Sequence, residues 1–325
     1  MMKNFTLKSI LVALMVCLAA MSSYAQETAT DSLQAPKFWK KGMDLSLQFT
    51  QNYVSPNWYN GGNSSMAGVA NIQGWINYNK DEKIFWENFL DLKYGFSTTF
   101  TKDKVGRIFH MTDDMSKYTT KFGYLMGKGW YGSVQAELST TLFDTYTIDT
   151  NNKTSGLGSP VRFYVSPGFD YKYTNDKGTE ISLLISPTTY KLVYVNDTVL
   201  AKREFAGAEY VAEKTIQEYV GLPADKNMLN DFGGLVQFNL FQKFNDRISL
   251  ESKLKLYTNY LGNSKGTVGL EADWEITANF VLYKLLTAQI SIHPRYDSTT
   301  EDGWDAKLQF KEFVSIGLAY SFGER

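Results

Sequence analysis

The chain has 325 residues, with 33 Lys and Arg against 34 Asp and Glu, 43% hydrophobic residues and 49 aromatic side chains. That near-neutral balance speaks against a nucleic-acid partner, and a single cysteine, Cys17, leaves neither a disulfide pair nor a thiolate set for a metal. Beyond residue 25 no apolar run reaches the roughly 20 residues that a membrane-spanning helix needs.

Residues 1–25 read as a signal peptide: Lys3 and Lys8 precede an apolar run over 10–20, and Ser23-Tyr24-Ala25 places small residues where a signal peptidase cuts. A lipidated Cys17 would sit behind the bulky Val16 and cut the apolar run short. Loss of Lys3 and Lys8 leaves 31 basic against 34 acidic residues, a net charge of −3. Residues 26–38 are polar and are expected to form a periplasmic lead-in.

From residue 39 onward the pattern has period two, in which successive side chains take opposite faces of a strand. Met43, Leu45, Leu47 and Phe49 alternate with Asp44, Ser46 and Gln48, and residues 68–78 and 84–97 repeat the scheme. Further strands are expected over 117–124, 130–142, 161–173, 181–187, 236–244, 248–256, 268–280 and 286–292. Pro187 should mark a strand end or a bulge, since it brings no N–H to a ladder. In the last expected strand, 304–322, the even positions include Trp304, Leu308, Phe310, Val314, Ile316, Leu318, Tyr320 and Phe322, and the odd ones are mostly polar or small.

Short links at 79–83, 127–129, 174–178, 245–247 and 281–284 alternate with longer ones at 55–65, 101–114, 146–159, 188–231 and 297–303. This is the arrangement of a transmembrane antiparallel up-and-down β-barrel, which also spreads its apolar residues so that no long run appears. The fold class expected for 39–325 is therefore all-β, an outer-membrane β-barrel of about 12 strands in a Gram-negative bacterium, with both termini periplasmic. Fourteen is the alternative if 188–231 hides another hairpin; within it, 209–220 has the apolar spacing of a helical turn or two. Tyr78, Trp86, Tyr124, Trp130, Tyr173 and Phe322 at the inner ends, with Tyr53, Phe96, Tyr260 and Trp304 at the outer ends, fit interfacial girdles.

Several stretches resemble an outer-membrane family of the Bacteroides group known only as a domain of unknown function. They are Trp58 with Gly61-Gly62-Asn63-Ser64, 90–95, 119–124, Ser166-Pro167-Gly168 with Asp170-Tyr171, Ser186-Pro187, 256–260, Asp273-Trp274-Glu275 and the last strand. The resemblance implies an outer-membrane barrel and supplies no activity. A terminal strand ending on an aromatic residue also resembles the signal read by the barrel-assembly machinery.

The chemistry-bearing candidates lie on the polar face. Glu251, Lys253 and Lys255 precede Glu271, Asp273 and Glu275 on the next strand, and antiparallel pairing sets Lys255 against Glu271 or, after a two-residue slip, Asp273. Lys253 then meets Asp273 or Glu275, so opposite charges face each other either way. Lys117, Lys121 and Glu87 are expected to reach toward this ladder from the opposite wall and constrict a narrow lumen. Trp58, Tyr59 and Asn60 form an outer-loop binding candidate, with a tight glycine-containing crossing as the structural alternative. Only His110 and His293 are available for acid–base work, and neither stands on the lipid-facing wall where a membrane lipase would need it. Asp113-Asp114 reads as a solvated loop pair, and no metal or cofactor is expected. The expected function is a channel or transporter for small polar solutes. The alternative is a structural or assembly subunit of an envelope complex, with a membrane enzyme third. Expected partners are outer-membrane lipid and lipopolysaccharide, the assembly machinery and other envelope proteins.

Overall fold

The computed structural model describes residues 38–323 apart from 54–63, 101–106, 147–152, 197–199, 201, 206–207, 212–213, 223–225, 263–267 and 300–306. The chain divides into two units, Met1–Lys37 and Phe38–Arg325, and every strand among the described residues belongs to the second. The expected signal peptide, and the lead-in except Phe38, lie outside the described residues.

In chain order the strands are β1 (Trp39–Asn52), β2 (Ser64–Lys80), β3 (Ile84–Phe100), β4 (Arg107–Gly127), β5 (Trp130–Thr140), β6 (Thr145–Tyr146), β7 (Lys153–Ser155), β8 (Val161–Thr174), β9 (Thr179–Tyr194), β10 (Lys202–Phe205), β11 (Ala208–Val211), β12 (Met228–Lys243), β13 (Ile248–Asn259), β14 (Leu270–Tyr283), β15 (Leu286–Asp297) and β16 (Gln309–Gly323). Twelve of them close into one antiparallel barrel in the order β1-β16-β15-β14-β13-β12-β9-β8-β5-β4-β3-β2. The fourteen-strand alternative fails for a specific reason. Residues 188–231 do hold a hairpin, but β10 and β11 pair only with each other and stand outside the barrel, as β6 and β7 do. The helical turn expected over 209–220 is confined to Ile216–Tyr219, capped by Thr215, whose hydroxyl accepts from the Glu218 amide while the Glu218 carboxylate takes the Thr215 amide. Ile216 and Leu222 pack there on Val193 and Val195 at the long-loop end of β9.

Burial runs opposite to that of a water-soluble protein. Val134, Phe169, Ile185, Val236, Trp274, Ile290, Val314, Ile316 and Leu318 are exposed on the outer wall, whereas Asp91, Lys121, Gln135, Glu137, Asp170, Lys191 and Glu271 are buried inside. A wall that is apolar outward and polar inward is what hydrocarbon around the barrel requires, because backbone groups are satisfied by the closed ladder and side chains by lipid. Aromatics collect at the short-turn rim, where Trp39 packs on Tyr78 at 5.0 Å and on Trp86 at 6.1 Å, and Trp130 on Tyr171 at 5.2 Å. At the other rim Trp304 lies outside the described residues.

Several strand boundaries differ from expectation, among them the start of β12 at Met228 rather than residue 236. β9 does not stop at Pro187 but continues to Tyr194. Its register with both neighbours shifts by one residue around Pro187 and Thr188, the mark of a β-bulge. The extra residue reverses the phase: Ile181, Leu183 and Ile185 point outward before it, and Tyr190, Leu192 and Tyr194 after it, which breaks the alternation in the sequence. β4 likewise starts at Arg107, with a register shift at Thr112, so the long link expected over 101–114 is mostly strand. β16 begins at Gln309 rather than Trp304.

The barrel closes where β1 meets β16 over eight pairs, from Gly42 with Gly323 to Phe49 with Ile316. Gln48 lies over Gly317 and donates to Thr287 Oγ1 on β15 at 3.0 Å, while Ser315 Oγ donates to Gln48 Oε1 at 3.4 Å. A Cβ on Gly317 would strike the Leu47 carbonyl and the Gln48 side chain, so only glycine leaves this crossing open.

Adjacent residues on β15 test the two faces. Ile290, opposite Ala278 and Val314 in mid-wall, faces outward, and Ser291 faces the lumen. Ile290→Arg should cost about 2–4 kcal/mol in urea unfolding from lipid vesicles, the scale for a cation at the bilayer midplane. Ser291→Arg should cost well under half of that, and equal losses would put the facing one residue out of register.

Candidate functional site

The lumen is built from side chains that the barrel pitch brings together from distant strands. β13 and β14 pair with Lys253 opposite Glu275 and Lys255 opposite Asp273, the slipped register of the two considered. The charges do not pair along that ladder. Lys255 Nζ instead reaches Glu137 Oε1 on β5 at 2.8 Å, and Glu271 Oε2 takes Lys191 Nζ from β9 at 2.9 Å. Glu275 is paired with Lys93 on β3, with β15, β16, β1 and β2 lying between them along the wall. Asp273 Oδ1 holds His293 Nε2 at 2.8 Å, and Lys253 turns back to Glu251 at 2.9 Å. The reason is reach: a narrow lumen puts the far wall within a lysine's length, and a partner there avoids competition with the like-charged neighbours one pair along.

Lys117 and Lys121 do not extend to this group. Lys121 Nζ binds Asp170 Oδ2 on β8 at 2.9 Å, and Lys117 stays 3.9 Å from Asp91 on the neighbouring strand. Glu87 is taken by Lys172 of β8. The residues that do reach the β13–β14 charges are Lys93, Glu137 and Lys191. Glu137 was readable, since it alternates with Ala136 and Leu138; Lys191 was hidden behind the phase reversal at Pro187. Asp113 and Asp114 are no loop pair. Asp113 faces inward and accepts Lys311 Nζ at 2.6 Å, while Asp114 accepts the Leu142 and Phe143 amides and pins the loop after β5. Trp58, Tyr59 and Asn60 lie outside the described residues. Among the described residues no group of three or more His, Cys, Asp or Glu is arranged to hold a metal ion.

These contacts divide the lumen into unlike halves. Toward β8, β9, β12 and β13 its long-loop end is filled: Tyr164 and Tyr257 stack edge to face at 6.1 Å, with Lys255 Nζ 3.7 Å from the Tyr164 ring centre and Lys191 Nζ 4.8 Å from that of Tyr257. Tyr257 OH donates to Asp231 Oδ2 at 3.0 Å, and Leu184 and Leu235 pack against its ring. Toward β1, β2, β15 and β16 a cavity of about 520 Å³ runs from the short-turn rim at Asp44 and Gly323 up to Asp113 and Lys311, lined between by Gln48, Asn71, Gln73 and Gln289. A second cavity of about 360 Å³, beside Gln135, Lys121 and Gln237, shares Trp75, Glu180, Phe241, Glu251 and Lys253 with the first.

Within the filled half, removing one charge strands its partner. Lys191→Met leaves Glu271 buried without its nearest cation and should destabilise the barrel by ~3 kcal/mol. Lys191→Met with Glu271→Gln should recover most of the loss in the same chemical unfolding experiment. A double variant as unstable as the single would mean that packing of the lysine stem, not charge, holds this region.

Among known proteins, the profile of a family described as "Protein of unknown function (DUF3078)" matches residues 49–146. No curated protein matches. Solved structures similar in fold include the translocator domain of the autotransporter NalP from Neisseria meningitidis, at 10% identity over 97% of both chains with a TM-score of 0.37. An outer membrane channel from Pseudomonas putida F1 has 12% identity over 92% of this chain and 100% of that one, with a TM-score of 0.40. A FadL homologue of Pseudomonas aeruginosa has 10% identity over 88% of this chain and 87% of that one, with a TM-score of 0.29.

Proposed function

We propose that this chain is an outer-membrane channel for small polar solutes, held closed by lumen ion pairs in the state of this structure. The observation that carries the reading is the nature of the lumen filling on the cavity side. Amides and paired charges line about 520 Å³ of space there, and such pairs part and rehydrate, whereas an apolar plug gives a polar solute nothing to exchange its water for. The outward apolar wall and rim aromatics support a membrane setting, with lipid and lipopolysaccharide as the surroundings and β16 as the strand read by the assembly machinery. Both chain ends of the barrel, Trp39 and Gly323, stand at the short-turn rim, which we assign to the periplasm.

The dense packing of the other half favours a second reading, a closed barrel acting as a structural subunit of an envelope complex. Single-channel recording on the purified chain in planar bilayers separates the two: discrete conductance steps support the channel, and a correctly folded, silent barrel supports the subunit. Lys253 lines both cavities, so Lys253→Glu should raise the cation-to-anion permeability ratio. Lys255→Glu sets a second carboxylate beside Glu137 and should act mainly by lowering stability.

Orientation is tested separately. An epitope inserted at Lys214, in the long link between β9 and β12, should be labelled on intact cells, and one at Lys128, in the short turn after β4, only after the outer membrane is permeabilised. Labelling at Lys128 from outside would reverse the assignment.

A further inference from the structure

The two halves of the lumen differ in how they are crossed, and this locates a path, its gate and the charge of what passes. On the β5–β13 side the crossing contacts are knitted together: Lys121 is bound to Asp170, and Ser182 Oγ donates to the same carboxylate at 3.1 Å. Lys172 carries Glu87 and stands over the Phe85 ring, Lys191 sits between Tyr164 and Tyr257 while holding Glu271, and Lys255 stands over Tyr164 while holding Glu137. Opening that side would break several contacts at once and expose Leu184 and Leu235. On the β1–β16 side, two ion pairs border the long cavity and cross between strands that are not neighbours. Lys93 with Glu275 bridges β3 to β14 in mid-lumen, and Lys311 with Asp113 bridges β16 to β4 nearer the long-loop rim, with Lys311 Nζ also donating to the Thr112 carbonyl at 3.1 Å. Below them the cavity continues to the short-turn rim.

We propose that this cavity is the permeation path, that Lys93–Glu275 and Lys311–Asp113 are the two bars that close it, and that the permeant is a small cation or cationic solute. The inference rests on the channel reading and assigns its gate and its selectivity. The sign follows from the lining. Each of three lysines is held by a carboxylate of the same cavity, Lys93 by Glu275, Lys253 by Glu251 and Lys311 by Asp113, and the fourth, Lys243, is held by Asp246 in the turn after β12. Asp91 and Glu180 line the same space in addition, and Lys117 approaches Asp91 only to 3.9 Å. A low-dielectric wall focuses the field of that acid excess along the axis and raises the local concentration of cations. The amides of Gln73 and Gln289 supply neutral oxygens and N–H groups between the charged levels, suited to a partly hydrated ion.

The test is conductance and reversal potential of the full-length wild type and of Lys93→Met with Glu275→Gln, which removes the mid-lumen bar without leaving a bare charge. Lys191→Met with Glu271→Gln, a pair that borders neither cavity, serves as the matched variant on the filled side. The expected result is a cation-preferring wild type of low conductance, a several-fold larger conductance when the Lys93–Glu275 bar is removed, and a wild-type value for the filled-side variant. A conducting wild type unaffected by loss of Lys93 and Glu275, or affected equally by loss of Lys191 and Glu271, overturns the gate while leaving the channel reading intact. Anion preference overturns the assignment of the permeant. Silence of every variant overturns the channel reading and this inference with it. A second measurement does not depend on altered ion pairs. The barrel carries no cysteine, so Gln289→Cys should be modified by a cationic thiol reagent, with block of the current, and Leu184→Cys in the packed cluster of the filled side should not. Modification of Leu184→Cys alone would place the path on the wrong side.

Discussion

A strand that crosses a membrane cannot leave its backbone amides and carbonyls facing hydrocarbon, and every feature of this molecule depends on the one arrangement that satisfies them: a ladder that returns on itself. Here the return is the pairing of β1 with β16, eight residues long and backed by Gln48 reaching over Gly317 to Thr287. All the other pairs join barrel strands consecutive along the chain. That single long-range seam turns a meander into a cylinder and gives the polar face an interior.

With the ladder closed, the outer face is matched to lipid and the inner face is left to solve its own electrostatics. The solution is lysine-centred. A lysine has the length to cross a narrow lumen and a single charge to place, and in doing so it buries its methylene stem against rings such as Tyr164 and Phe85. Acid partners drawn from other strands make these contacts into struts between walls. Removing either end would leave an uncompensated charge, so struts hold the cross-section of the barrel as well as filling it. The filling is uneven: about 520 Å³ is open toward β1, β2, β15 and β16, against about 360 Å³ beside Gln135 and Lys121.

The fold was legible because strand alternation is a local signal and because short and long links differ in length along the chain. The strand count, the facing of Ile290 against Ser291 and the position of the short turns needed nothing beyond that. At Pro187 and at Thr112 an inserted residue reverses the phase of the alternation, so a strand looked finished when it had only turned its other face. Lys191 lay behind the reversal at Pro187, whereas Asp113, in phase with Lys117 and Lys121, was missed because its strand was started too late. The pairing of charges was illegible for a different reason. Which lysine meets which carboxylate depends on the diameter and pitch of the closed cylinder, quantities that no stretch of sequence carries. Adjacent-strand pairing was the only geometry available to local reasoning, and the side chains bypass it.

The seam has a further consequence for chain connectivity. Trp39 and Gly323 lie at the same rim, and Gly42 and Gly323 are paired neighbours in the ladder, so the seam stands where the alternation of links would put another short hairpin and lacks only its covalent turn. The barrel is cyclic in space although its chain is linear. A short linker across this rim, with new ends opened in the link between β9 and β12, would yield a circular permutant in which every ladder is kept and the present seam becomes an ordinary hairpin. The order in which strands are made would then change, and the long-range step of ring closure would pass to β9 and β12, whose ladder is fourteen pairs long. The fold would be the same cylinder, reached by closing it at a different place.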